Sequence, residues 1–206
     1  MSLRLSGGRR LQSPSGATAR PTPSRVRLAL MNILAAELPG SRWLDLCSGS
    51  GVMACEALQR GAAAVVAVEQ DRRHVAVARA NLEAVRAGLA SQPSVRVDCA
   101  EVGSWLRRPL SPDARGAEPS VAPGQPAFHL IYADPPYASA LYPAICAGVA
   151  AGHWLRADGT LMLECASSAV PALVELPGHW TLRDQRRYGS TTVILLQPSS
   201  REPRRY

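Results

Sequence analysis

Residues 133–137 read Ala-Asp-Pro-Pro-Tyr and combine three chemical properties in five positions. The two prolines remove two backbone donors and stiffen the chain, leaving carbonyl oxygens as acceptors. Asp134, when ionised, only accepts hydrogen bonds, and Tyr137 offers a flat aromatic face. An exocyclic amine on a nucleobase fits this set. Its two N–H bonds go to Asp134 and the Pro135 carbonyl, Pro136 stiffens the turn, and the ring stacks on Tyr137. Such bonds draw the nitrogen towards tetrahedral geometry, so its lone pair turns from the ring towards an electrophilic methyl. Guanine, adenine and cytosine all carry such amines, in RNA and in DNA, and the motif alone does not choose among them. The other reading of Asp-Pro-Pro-Tyr is a rigid turn with a partly buried tyrosine.

A second set lies at 44–54, Leu-Asp-Leu-Cys-Ser-Gly-Ser-Gly-Val-Met-Ala, where an apolar run enters a glycine-rich turn. Gly49 and Gly51 permit a tight turn and close approach of a ligand to the backbone. Glu69 ends the next apolar run, where a carboxylate suits a pair of ribose hydroxyls. Taken as G-x-G-x-x-A, the turn also fits a dinucleotide site. Asp45 argues between the two, because a pyrophosphate needs a helix N-terminus free of competing negative charge. A carboxylate inside an apolar strand is costly unless it is bonded or lies beside a ligand. Just before the turn it points to a ligand with a positive amine. S-adenosylmethionine has that amine, a ribose for Glu69, and an adenine whose amino group wants an acceptor. Asp98, in Val-Asp-Cys-Ala at 97–100, is placed to be that acceptor; a plain helix N-cap is its other reading. Cys47, Ser48, Gln70 and Cys99 flank these positions and are assigned to the same cofactor pocket. Hydride transfer with a nicotinamide cofactor would require a Tyr/Lys or His relay. The chain has no Lys, and its histidines at 74, 129, 153 and 179 sit beside neither motif.

These residues need a scaffold, and the hydrophobic pattern supplies one. Thr22 reads as an N-cap with Pro23 at the first helical position, opening an amphipathic helix from Ser24 to Leu38. Strands at 43–47, 64–69, 94–97, 128–133 and 159–165 then alternate with helices at 51–60, 72–87, 101–108 and about 139–151. Strands at 180–188 and 191–197 flank Gly189-Ser190 as a closing hairpin. Alternation of this kind implies right-handed crossovers and a mostly parallel α/β sheet covered on both faces, with an antiparallel end. Residues 1–21 read as a basic arm, 109–126 as a flexible surface insertion and 198–206 as a disordered basic tail, around one domain at 22–197.

All 23 basic residues are arginines, and the formal net charge is +7. The first 27 residues hold six Arg and no acid, whereas 28–182 hold 11 Arg against 14 acids. Positive ends around a mildly acidic body point to a polyanionic partner, with solvated ends as the alternative. Five scattered cysteines without a C-x-x-C pair argue against a disulfide framework and against a metal site, and fit a reducing cytoplasm. No stretch approaches a membrane span, and no charged region followed by an apolar one forms a secretory signal.

The sequence resembles the RsmD family of bacterial methyltransferases, which methylate N2 of a guanine in 16S ribosomal RNA using S-adenosylmethionine. The resemblance rests on Gly-Gly-Arg (7–9), Arg-Pro-Thr-Pro-Ser-Arg-Val-Arg (20–27), 44–51, Glu-Ala-Leu-Gln-Arg-Gly-Ala (56–62), Glu69, Asp-Pro-Pro-Tyr (134–137), the Glu164 strand and Tyr-Gly-Ser-Thr (188–191). It spans nearly the whole chain except 109–126 and the tail, and places family motifs where an organellar transit peptide would otherwise be read. It implies a Rossmann-like class I methyltransferase with a seven-stranded sheet, acting on the small ribosomal subunit; the expected form is a monomer in the cytoplasm. Under it, Thr22 meets the carboxylate of the cofactor's methionine part, and Arg9, Arg10, Arg20, Arg25 and Arg27 face RNA phosphates. The alternative keeps Thr22 as a cap and the arginines as a solvated face. Tyr-Gly-Ser-Thr either positions the target or turns the hairpin. The chain departs from the family in a shorter arm, in Leu28 and Met31, and in Cys47-Ser48 where Phe-Ala is familiar.

Overall fold

The computed structural model describes residues 3–14, 22–108, 128–136, 141–170 and 176–199. The expected insertion at 109–126 and most of the expected tail fall outside them. Short apolar runs form the strands β1 (Arg42–Leu46), β2 (Ala64–Glu69), β3 (Ser94–Cys99), β4 (Phe128–Ala133), β5 (Leu155–Ala166), β6 (Trp180–Tyr188) and β7 (Thr191–Pro198). The helices are α1 (Ser24–Ile33), α2 (Val52–Gln59), α3 (Arg72–Arg86), α4 (Val102–Leu106) and α5 (Leu141–Ala151). The seven strands make one sheet in the order β3-β2-β1-β4-β5-β7-β6. Its first five strands are parallel, and β7 runs antiparallel to both β5 and β6.

Every residue of β1 and β2 is buried, as a strand covered on both faces requires. Alternation along the strands divides the core in two. Trp43, Val65, Leu130 and Met162 pack with α1, α2 and α3; Leu44, Val66, Ile131 and Leu163 pack with α4 and α5. On α3, Val75, Ala78, Leu82 and Val85 recur at helical spacing and bury one stripe against the sheet.

Several boundaries differ from the sequence reading. Pro23, not Thr22, occupies the N-cap of α1, and no side chain caps that end. The helix stops at Ile33, after which shorter-range bonds such as Ala35 N to Asn32 O turn the chain towards β1. Leu34 and Leu38 stay fully buried, so the apolar spacing outlasts the helix that suggested it. In the sheet, β5 begins at Leu155 and β7 extends to Pro198, which makes Pro198 part of the sheet rather than of a tail. The N-terminal arm also has a structured part: Leu3 and Leu5 are buried in the core, and Leu5, Gly8 and Arg9 close a tight turn.

Candidate active site

Both chemistry-bearing motifs arrive at one place. The chain winds outward from β1 through β2 to β3, then returns to lay β4 on the other side of β1. Such a reversal opens a crevice at the carboxyl ends of the two central strands. In register, Asp45 lies opposite Tyr132 and Leu46 opposite Ala133, so the glycine turn and Asp134 leave neighbouring strands side by side.

On the β1 side, Asp45 is buried. Its Oδ2 accepts from the Ala54 N–H at 3.1 Å, and its Oδ1 has no partner. Burial pushes its carboxyl up to about 8, against the Ala54 hydrogen bond and helped by the charge of Glu69. The turn that follows takes positive φ at Cys47 (62°), Gly49 (55°) and Gly51 (74°). The two glycines have different reasons. A Cβ on Gly49 would point into open space, whereas one on Gly51 would lie 3.2 Å from the Ala78 Cβ of α3. Gly51 therefore seats a helix, and Gly49 faces the crevice. Glu69 secures the turn, accepting from Gly49 N at 2.8 Å and Asp71 N at 2.9 Å. Ser48 donates its N–H to Val68 O at 2.9 Å, and its buried Oγ has no partner. Burial first, then the charges of Glu69, Asp45 and Asp134, push the Cys47 thiol to about 12, so it is no thiolate nucleophile.

Further along the edge, Asp98 accepts from the Trp105 indole at 2.7 Å and pairs with Arg96 at 2.8 Å. It is not a helix cap; Glu101 caps α4 through Gly103 N and Ser104 N. Cys99 and Gln70 are exposed beside it, joined by a Cys99 Sγ to Gln70 O contact of 3.7 Å.

On the β4 side, Asp134 is half-buried and Pro135 buried, while Pro136 is exposed. Burial, then the charges of Glu164 and Asp45, hold the Asp134 carboxyl well above the usual carboxylate range, against a hydrogen bond from Thr22. Three residues that the sequence reading left out of the site complete it. The Tyr132 hydroxyl makes a short hydrogen bond to buried Glu164 on β5, and also meets Thr22 Oγ1 at 3.3 Å. Thr22 Oγ1 reaches Asp134 Oδ2 at 3.5 Å. Glu164 is a carboxylate inside an apolar strand, the same signal that singled out Asp45. The third, Glu56, reaches the site only through Arg27, which it binds at 3.3 Å and which donates to Thr22 O at 2.8 Å.

The arginines separate. Arg9 is exposed and donates to Ala84 O in the last turn of α3 at 2.7 Å; Arg10 is exposed, its backbone bridged to Arg4. Arg25 is exposed at the start of α1 and donates to Tyr188 O beside the β6–β7 turn. Arg27, read as facing RNA, is instead buried in the fold, because its spacing on α1 puts it on the core stripe with Val26 and Leu30. Arg20 and Tyr137 lie outside the described residues.

The residues present fit a cofactor with an ammonium group, a ribose and a base. The unpartnered Asp45 Oδ1, the empty space over Gly49 and the carboxylate of Glu69 line one path along the sheet edge. Among the described residues no group of three or more His, Cys, Asp or Glu is placed to hold a metal ion, and all five cysteines are free thiols. No helix of the described residues is long and apolar enough to cross a membrane.

Comparison with known proteins agrees with this layout. The chain is 28% identical over 190 residues to ribosomal RNA small subunit methyltransferase D of Escherichia coli K12, covering 92% of this chain and 85% of that one. The solved structure of the Escherichia coli protein yhhF superposes with a TM-score of 0.75 at 26% identity, covering 98% of this chain and 100% of that one. SMU.776, solved in complex with SAH, shares the fold at a TM-score of 0.61 and 15% identity, over 84% of this chain and 48% of that one. The seven-stranded order, the glycine turn and the Asp-Pro-Pro edge thus sit in one framework, and the family model "Conserved hypothetical protein 95" matches residues 5–197: the chain belongs to that family, the RsmD methyltransferase family its motifs resemble.

Proposed function

We propose that this protein transfers a methyl group from S-adenosylmethionine to the exocyclic N2 amine of a guanine in 16S ribosomal RNA of the small subunit. The observation that carries the reading is the meeting of Asp134 and Pro135 with the unpartnered Oδ1 of Asp45 across the β1–β4 crevice. One edge accepts a planar amine and the other a cationic cofactor. The choice of guanine and of 16S RNA is supported by the family and by the name of the Escherichia coli relative, since the motif chemistry admits adenine and cytosine as well.

When bound, the cofactor supplies an electrophilic methyl on a sulfonium. Asp45 Oδ1 would hold its ammonium, Glu69 its ribose hydroxyls, and the edge around Asp98, Cys99 and Gln70 its adenine. Thr22, Cys47 and Ser48 close the methionine end, and Gly49 leaves the room. The chain's own work falls on the target amine. Its lone pair is delocalised into the base, so the barrier is set by positioning and polarisation. Asp134 and the Pro135 carbonyl take the two N–H bonds, Tyr137 stacks on the ring, and Pro136 keeps the carbonyl fixed. The Asp134 bond strengthens as positive charge grows on nitrogen, which favours the transition state over the ground state. The proton leaves the methylated nitrogen for Asp134 or water afterwards.

Loss of one preorganised partner of this kind costs about 10²–10³ in rate. Single-turnover methyl transfer to saturating small subunits should therefore fall that far in Asp134→Ala. Tyr137→Ala should fall mainly on target binding, by about 1–3 kcal/mol. An Asp134→Ala protein that folds and keeps more than about a tenth of the rate would show the motif to be structural. Mapping methylated guanines in ribosomal RNA from cells lacking the gene tests the target.

A further inference from the structure

The buried ion pair of Arg27 and Glu56 has no part in the chemistry just described. Arg27 is 4% exposed and Glu56 1%. Taking both charges out of water is costly, so such a pair is poor evidence for stability. What it does is join segments. Arg27 Nη1 donates to Thr22 O at 2.8 Å, Nη2 donates to Arg4 O, and Nε pairs with Glu56 Oε1 at 3.3 Å. The same Glu56 oxygen accepts from Ser6 N at 2.9 Å and Ser6 Oγ at 3.0 Å. One guanidinium fork therefore ties the N-terminal arm, α2 and the start of α1 to the backbone of Thr22. A planar fork with fixed donor directions suits that task better than a single ammonium. The side chain of the clamped residue is the one that touches Tyr132 and Asp134.

We propose that Arg27 is a positioning residue. Paired with Glu56, it locks the arm onto the Thr22 segment and so keeps the Thr22 hydroxyl on the Asp134 carboxylate. The link to catalysis rests on the functional reading above; the link from Arg27 to Asp134 does not. Asp134 is faced by Asp45 and Cys47 from the β1 side, by Tyr132 on its own strand, by Glu164 and Cys165 from β5, and by Thr22. Of these, Thr22 supplies the hydrogen bond that favours the ionised form.

The test is a carbon-13 carboxyl titration of Asp134 in the ligand-free protein, for wild type, Thr22→Val, Arg27→Met and the double variant. Each single variant should move the titration to higher pH, and the double variant no further than either. Arg27→Lys, which keeps a charge against Glu56 but lacks the fork, should also move it, and carries the test if Arg27→Met does not fold. In single-turnover assays the same variants should lose about tenfold to a hundredfold, the scale of a small misplacement at a reacting centre. A folded Arg27 variant with the wild-type Asp134 titration overturns the proposal, as do fully additive shifts in the double variant. Because the titration needs no substrate, a wild-type protein with no methyl transfer would count against the functional reading alone.

Discussion

Asp45 and Asp134 face each other from neighbouring strands, and burial pushes both towards the neutral acid, yet the ligands proposed for them demand the ionised form. At pH 7 a carboxyl near 8 is mostly protonated, so taking up an ammonium must expel a proton. Calorimetry of S-adenosylmethionine binding in buffers of different ionisation enthalpy should show about one proton released at pH 7, declining above pH 8 and absent in Asp45→Asn. The sign for stability follows from the same shift. A folded-state value above the unfolded value of about 3.9 means that the ligand-free fold loses stability as pH rises from about 4 to about 8. Melting curves of Asp45→Asn should lack that decline. For Asp134, Glu164→Gln removes the neighbouring charge while leaving Tyr132 an acceptor. The acid limb of kcat/KM should move to lower pH, and an unmoved limb would show that Glu164 does not tune Asp134. Glu69→Ala should weaken cofactor binding by about 1.5–3 kcal/mol per lost bond, and would also release the Gly49 N–H that Glu69 now holds.

At the scale of elements, the glycine turn divides its labour between two residues of the same type. Gly51→Ala adds left-handed strain of roughly 1–2 kcal/mol to a tight contact with Ala78, so its cost should appear in the melting temperature. Gly49→Ala meets nothing in the fold, so beyond the same strain its cost should appear in cofactor affinity. Equal affinity losses in the two variants would contradict that division. Much of this was legible from sequence. The spans of β2 and β4 match their nearly solid apolar runs residue for residue. Asp45, the glycines, Glu69 and Asp134 were found because each breaks a local rule: a charge in an apolar run, or a residue free to take positive φ. Tyr132 breaks none, being an ordinary strand aromatic, and only the register that sets it against Asp45 and near Glu164 reveals its place. The role of Arg27 was misread for a related reason. An arginine in a basic segment reads as solvent-facing until a carboxylate from a distant helix is known to lie beside it.

For the whole molecule, the arm emerges as a buttress as much as a basic surface. Cutting residues 1–12 would remove Leu3 and Leu5 from the core, each worth roughly 1.5–3 kcal/mol, together with Arg4, Arg9 and Arg10. The truncated protein should melt at lower temperature, and each lost phosphate contact should reduce the log–log salt slope of RNA binding by about 0.7–0.9. A truncation that lowers the slope without touching the melting temperature would return the arm to a purely electrostatic role. The seam between β1 and β4 has a consequence of its own, in time rather than in space. Its strands are neighbours in the sheet but distant in the chain, so joining them closes the costliest loop of the central sheet. During synthesis the glycine turn and β2 leave the ribosome well before β4 does. A nascent or half-opened chain can carry most of its helices and still have its two key carboxylates apart. Activity that needs both carboxylates therefore depends on a closed β1–β4 seam, and should be lost whenever the middle of the sheet parts.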